Sequence, residues 1–293
     1  MTATPQSVVD RDLEAQLLEA ALLSGAHVLL EGPPGTGKST LLRQVASGRR
    51  VPFVLVEGNA ELTPSRLVGH FDPALVLSKG YRAEIFVDGP LLEAMRSGGL
   101  LYVEELNRVP EETVNVLLTV MSEGEIAVPR LGRVQAAPGF GLVAAMNPYD
   151  AVGTARISSA LYDRTCRIAM GYQSRAAEQR ILELRTDCRD EQWRDRVVEL
   201  VRDTREHPDI RMGSSVRGAI DTVGLAAQLA RLRGVPLDDW TVGLHAATAA
   251  LTGRIKLQES CPRTPEQVVA ELYEKVFGPR PAGEEGDDGA GEA

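Results

Sequence analysis

The stretch Gly32-Pro33-Pro34-Gly35-Thr36-Gly37-Lys38-Ser39 restricts this chain more than any other: a glycine, four residues, then Gly-Lys-Ser. Ala26-His27-Val28-Leu29-Leu30 before it reads as a short buried strand. Ser39-Thr40-Leu41-Leu42-Arg43-Gln44-Val45-Ala46 after it reads as a helix that stops at Gly48. A loop joining strand to helix aims consecutive backbone N–H groups and the positive end of the helix at one point, which suits a polyphosphate. Gly32, Gly35 and Gly37 let the backbone wrap an anion without side-chain clashes. Residues Gly32, Pro33, Pro34, Gly35, Thr36, Gly37, Lys38, Ser39 and Thr40 are therefore the candidate nucleotide-binding set. Lys38 is placed to reach the outer phosphates of ATP, and Ser39 to give an oxygen to Mg2+.

Around this loop the pattern alternates. Pro52 to Glu57, Leu100 to Val103, Gly141 to Met146 and Arg167 to Met170 read as strands, separated by helix patterns opening near Pro90 and Pro110. Such alternation predicts a three-layer α/β/α domain with a parallel sheet, over residues 1–172. Two segments interrupt it. Thr63 to Pro90 is punctuated by Gly and Pro and reads as an insertion. Glu125 to Gln135 reads as a hairpin turning near Leu131-Gly132. Before the loop, Asp10 is a candidate cap for a helix with Leu13, Leu17, Leu18 and Ala21 on one face. After residue 172 only helical periodicity remains, with stripes at Trp193, Val197, Leu200, Val201 and at Val216, Ile220, Val223, Ala227. Thr264-Pro265-Glu266-Gln267 is a capping box. A small all-α lid domain over 173–278 is expected, then a disordered acidic tail over 279–293.

Composition narrows the partners. The 293 residues carry a net charge of −9, which argues against a generic nucleic-acid binder. Glu284, Glu285, Asp287, Asp288 and Glu292 contribute part of that charge within the tail. Cys166, Cys188 and Cys261 are odd in number, far apart and in no metal-ligand spacing, which fits a reducing cytoplasm, and the four histidines form no ligand set and read as structural or surface residues. Met1-Thr2-Ala3-Thr4-Pro5 does not read as a basic, apolar signal pattern, and no apolar run is long enough to span a bilayer.

A phosphate loop needs a carboxylate at the end of a neighbouring strand. Leu101-Tyr102-Val103-Glu104-Glu105 offers two. Glu104 is the candidate Mg2+ ligand, directly or through water, and Glu105 the base that orients and deprotonates the attacking water. Asn147 follows the next strand and is placed to hold that water or the γ-phosphate. Arg164, Arg167 and Arg217 are candidate stabilisers of the transferring phosphoryl group.

These motifs together resemble a family. Glu31 to Ser39, Glu104-Glu105-Leu106-Asn107-Arg108 and Met146-Asn147-Pro148 look like the Walker A, Walker B and sensor 1 motifs of AAA+ ATPases, and more narrowly of the MoxR group. Leu161-Tyr162-Asp163-Arg164, with Gly171-Tyr172-Gln173-Ser174 and Glu178, resembles its arginine-finger segment and the entry to its lid. Gly213-Ser214-Ser215-Val216-Arg217 resembles its sensor 2 motif. The resemblance covers Asp10 to about Leu257. It implies a hexameric ring in which Arg164 enters a neighbour's ATP site and Arg217 contacts the γ-phosphate of its own subunit, leaving Arg167 the lesser candidate. It also implies that the insertion and the hairpin project toward substrate. Relatives of this kind act as chaperone-like remodelling or maturation factors for a protein complex, often with a von Willebrand factor A domain adaptor.

One position departs from the family, which normally has Asp where this chain has Glu104. The extra methylene moves the carboxylate by about 1.5 Å. The expectation is a working but slow ATPase. Two other readings stand beside it: an ATP-dependent nucleic-acid motor subunit, disfavoured by the acidic charge, and a nucleotide-held scaffold with little hydrolysis.

Overall fold

The computed structural model describes residues 8–148 and 158–281. Most of the expected leader (1–7) and of the acidic tail (282–293) lies outside these residues. The chain forms two compact units, the first ending at Gly171 and the second beginning at Tyr172.

In the first unit the strands are β1 (His27–Glu31), β2 (Phe53–Glu57), β3 (Gly69–Phe71), β4 (Phe86–Asp88), β5 (Leu100–Glu104), β6 (Glu125–Val128), β7 (Gly132–Gln135), β8 (Gly141–Met146) and β9 (Thr165–Ala169). The helices are α1 (Asp12–Leu23), α2 (Lys38–Arg49), α3 (Pro64–Val68), α4 (Pro73–Lys79), α5 (Pro90–Ser97), α6 (Glu111–Glu123) and α7 (Ser159–Asp163). Five strands form one parallel sheet in the order β2-β5-β8-β1-β9. Their side chains alternate between two cores. Val28, Leu30, Leu100, Tyr102, Val143 and Ala145 pack with Leu18 and Leu22 of α1 and Leu41 and Leu42 of α2. Leu29, Leu101, Val103, Leu142, Ala144 and Met146 pack with α3, α5 and α6 through Leu67, Leu91, Leu92 and Leu117. Burial on both faces explains why the inner strands β1, β5 and β8 read as continuous apolar runs. The expected three-layer α/β/α architecture is present.

Several local expectations are corrected. Asp10 does not cap α1: it sits in a left-handed turn (φ 60°), and Arg11 takes the cap position without a side-chain cap bond. Arg11 instead donates to the Gly171 carbonyl and pairs with Glu14, tying the start of α1 to the end of the unit. Leu18 and Leu22 enter the core, while Leu13 and Leu17 of the expected stripe are exposed. Helix α2 runs through Gly48, and Arg50 in the left-handed region ends it. Pro110 precedes the first turn of α6 as its cap residue rather than opening it.

The interruption at 63–90 holds α3, the antiparallel pair β3–β4 and α4, which buries no residue. Phe71 packs edge-on against Tyr81 and Phe86, with ring centroids at 5.1 and 4.9 Å. The hairpin β6–β7 forms as expected, and Arg130 at its turn lies 3.7 Å over the Tyr81 ring. Insert and hairpin therefore touch.

The second unit contains α8 (Arg175–Arg185), α9 (Glu191–Glu206), α10 (Val216–Arg233), α11 (Trp240–Leu251) and α12 (Pro265–Phe277) around one hydrophobic core that includes Trp193, Trp240 and Tyr273. The Thr264 capping box forms at α12 with both reciprocal bonds. The unit is not purely helical, because β10 (Ile210–Met212) pairs antiparallel with β11 (Lys256–Leu257). Three- and two-residue strands are too short to show a period of two.

Candidate functional site

The phosphate loop leaves the sheet at the carboxyl end of β1, a central strand with β8 on one side and β9 on the other. The Gly32 N–H donates to the Met146 carbonyl at 3.2 Å, so the loop starts hydrogen-bonded to β8. A Cβ at Gly32 would lie 2.1 Å from the Met170 carbonyl oxygen, which leaves room for glycine alone. Gly35 (φ 78°) and Gly37 (φ 91°) take left-handed conformations that turn the loop into α2. Thr36 is fully buried, and its hydroxyl donates to Pro33 O at 3.0 Å. The Lys38 ammonium, nearly buried, donates to Gly32 O at 2.7 Å and Pro33 O at 2.9 Å. It is held inside the curve of the loop. Helix α2 has no side-chain cap and no acid in its first turn, so its N-terminal N–H groups and dipole favour an anion. Thr40 is exposed one turn position later.

Two acids stand at the end of β5, two strands from β1. The Ser39 hydroxyl donates to Glu104 Oε1 at 2.7 Å, closing a bridge between α2 and β5. The longer glutamate side chain makes this contact directly. The Tyr102 hydroxyl lies 3.4 Å from the Ser39 oxygen. Burial pushes the Tyr102 phenol well above its usual range, so it stays neutral beside Glu104. Among the described residues no group of three or more His, Cys, Asp or Glu could hold a metal. One hydroxyl and one carboxylate suit Mg2+, which keeps water and phosphate oxygens as its other ligands. Glu105 adopts φ 51°, ψ 44° and swings off the strand axis, where its carboxylate pairs with Arg108 at 2.9 Å. A left-handed glutamate is a strained backbone state of the kind that collects at functional sites. Asn147 directly follows Met146, the residue that anchors Gly32. Gly32, Glu104 and Asn147 thus share the carboxyl edge of three successive strands, where open parallel sheets bind ligands.

Arg164 and Arg167 make other contacts within the first unit. Arg164 lies at the entry of β9, whose Thr165 pairs with His27 at the opposite end of β1 from the loop. About 13 Å of strand separates the two ends. The Arg164 guanidinium bonds Ser122 at 2.6 Å and the Ala160 carbonyl at 3.0 Å, so it points away from its own phosphate loop. Arg167 on β9 pairs with Glu31. Arg217 is exposed in the first turn of α10, in the second unit. The start of α10 is set by a buried network: Glu178 pairs with Arg205 at 2.6 Å and Arg202 at 3.1 Å, and Arg205 donates to Ser214 O at 2.7 Å. Residues that sequence reasoning passed over are Tyr102, Tyr162, Ser122 and the carboxylate of Glu31. Only Glu31 had a local signal, an acid ending an apolar strand directly before Gly32.

Residues 27–165 match a family described as AAA domain (dynein-related subfamily). The Bacillus subtilis protein YojN is 32% identical over 230 residues, covering 76% of this chain and 75% of that protein. The gas vesicle ATPase GvpN of Haloferax mediterranei is 32% identical over 206 residues, 65% of this chain and 59% of its own length. A Thermotoga maritima RuvB mutant shares the fold with a TM-score of 0.55 at 18% identity, over 84% of this chain and 72% of that one. NtrX from Brucella abortus, solved in complex with ADP, does so with a TM-score of 0.55 at 20% identity, over 78% and 52%.

Proposed function

The chain belongs to the AAA family of ATPases, and we propose that it binds ATP with Mg2+ and hydrolyses it to ADP and phosphate. The observation that carries this reading is the 2.7 Å contact between Ser39 and Glu104, which joins the phosphate loop and the strand-end carboxylates into one site. The loop amides and Lys38 bind the phosphates, and Ser39 and Glu104 hold Mg2+ or its water. Glu105 orients and deprotonates the attacking water, released from Arg108 when substrate is bound. Asn147 holds that water against the γ-phosphate, and Arg164 and Arg217 supply positive charge for the transferring group.

The finer reading is a MoxR-type remodelling or maturation factor acting on a protein complex. Motif order supports it, as does the likeness to a protein named a gas vesicle ATPase. Arg164 faces away from its own loop, which supports its use in a neighbouring subunit and hence a ring. The net charge of −9 supports a protein client over nucleic acid. No helix among the described residues is long and apolar enough to cross a membrane. The adaptor class and slow turnover are carried over from the family resemblance and from Glu104.

Phosphate release from Mg2+–ATP by the purified chain tests the activity. Glu105→Gln is expected to lower turnover by about 100–10,000-fold while ATP still binds. An unchanged rate in that variant rejects the assignment of Glu105, and a parent that binds ATP but never turns it over rejects the hydrolase reading.

A further inference from the structure

One buried charge at the root of the phosphate loop has no part in the chemistry above. Glu31 ends β1 immediately before Gly32 and is 4% exposed. A carboxylate so placed needs partners, and two groups answer it. The Tyr162 hydroxyl donates to Oε1 at 2.7 Å, and Arg167 Nε pairs with Oε2. Burial, and then the Glu31 carboxylate, push the Tyr162 phenol up to about 12, so it remains a donor at neutral pH. The backbone repeats the link, with Met170 N–H donating to Glu31 O at 2.6 Å.

Both partners flank Arg164. Tyr162 is two residues before it on α7, and Arg167 three residues after it on β9. One end of the cluster is therefore the root of the phosphate loop, and the other is the segment that presents Arg164. We propose that Glu31, Tyr162 and Arg167 form a positioning clamp that couples nucleotide binding in one subunit to the placement of that subunit's Arg164 in its neighbour's site. The inference rests on the reading of this chain as a ring-forming ATPase. Its physical basis is the cost of leaving a buried carboxylate unpaired. When the loop shifts around phosphate, Glu31 shifts with it, and Tyr162 and Arg167 must follow. Arg164, between them, is carried along. All three act as positioning residues.

Mixed rings separate this role from a structural one. Tyr162→Phe removes a single hydroxyl. Alone, this variant should lose turnover by about tenfold or more, while its affinity for a fluorescent ATP analogue changes by less than about threefold. Mixed with excess Glu105→Gln subunits, which cannot cut ATP but present an intact Arg164, Tyr162→Phe sites should regain turnover close to that of parent subunits diluted the same way. Arg167→Gln, and Arg167→Lys as the conservative control, provide the same arms if Tyr162→Phe fails to fold. Absence of rescue, or nucleotide affinity falling in step with turnover, overturns the coupling and makes the cluster structural. A parent without turnover overturns the ATPase reading instead, and the coupling with it.

Discussion

Glu104 is one methylene longer than an aspartate would be, and its carboxylate spans from β5 to the Ser39 hydroxyl at 2.7 Å. Under the proposed function its carboxylate serves Mg2+ rather than the fold. Glu104→Gln should raise the Mg2+ concentration needed for half-maximal turnover by about 10–100-fold, the cost usual for groups that organise a metal site. A Mg2+ titration of steady-state rate checks this. His27 makes a separate residue-scale prediction. Its Nδ1 accepts from the Leu142 N–H at 3.2 Å, which requires the neutral ring. Burial lowers its pKa below the usual 6.5, with a hydrogen bond to the Met121 backbone partly opposing. The unfolded chain therefore binds the proton first, and the His27 contribution is complete above about pH 6.5 and lost as pH falls through the folded pKa. Urea midpoints should drop as pH falls below about 6.5 in the parent. His27→Gln should flatten that part of the curve; an unchanged pH dependence means that other groups dominate it.

Elements carry the site only because their ends are pinned. The loop between β1 and α2 is held at its root by the backbone of Met146, at the end of β8, and of Met170, just past β9. Gly32→Ala drives a Cβ against the Met170 carbonyl, which belongs to backbone and cannot rotate aside. The expected cost is about 1–3 kcal/mol from overpacking, read by urea denaturation, with weakened ATP binding beyond what the loss of stability explains. The insert was legible only as a break in the α/β rhythm, since α3, β3, α4 and β4 are each too short to show a period. What stabilises it is non-local: Phe71 gathers Tyr81 and Phe86, and Arg130 reaches Tyr81 from the hairpin. The capping box at Thr264 was legible because all of its contacts lie within one helical turn. The supposed cap at Asp10 failed for a tertiary reason, the burial of Arg11 against Gly171.

Across the whole molecule, the phosphate loop and Arg164 occupy opposite ends of the same parallel pair, β1 and β9. Arg164→Ala should leave ATP binding within about twofold of the parent and lower turnover by about 1,000-fold, the range for an arginine acting on a phosphoryl group. Adding Arg164→Ala subunits to parent protein should depress the parent's own rate if the residue acts in trans; strict additivity of the two rates would sink that assignment. The sequence by itself determined the alternation of strands and helices, the loop, and the chemical identity of the acids behind it. Those features are local: an apolar run, a glycine spacing, an acid after a strand. Tertiary structure alone decided the strand order β2-β5-β8-β1-β9, and with it which strand ends share an edge. It brought Ser39 to Glu104 across 65 residues and Arg167 to Glu31 across 136. Contacts of that separation leave no period in the chain. They follow from how buried strands pair, and that pairing turns one candidate arginine into a partner of Glu31 and faces another away from its own loop.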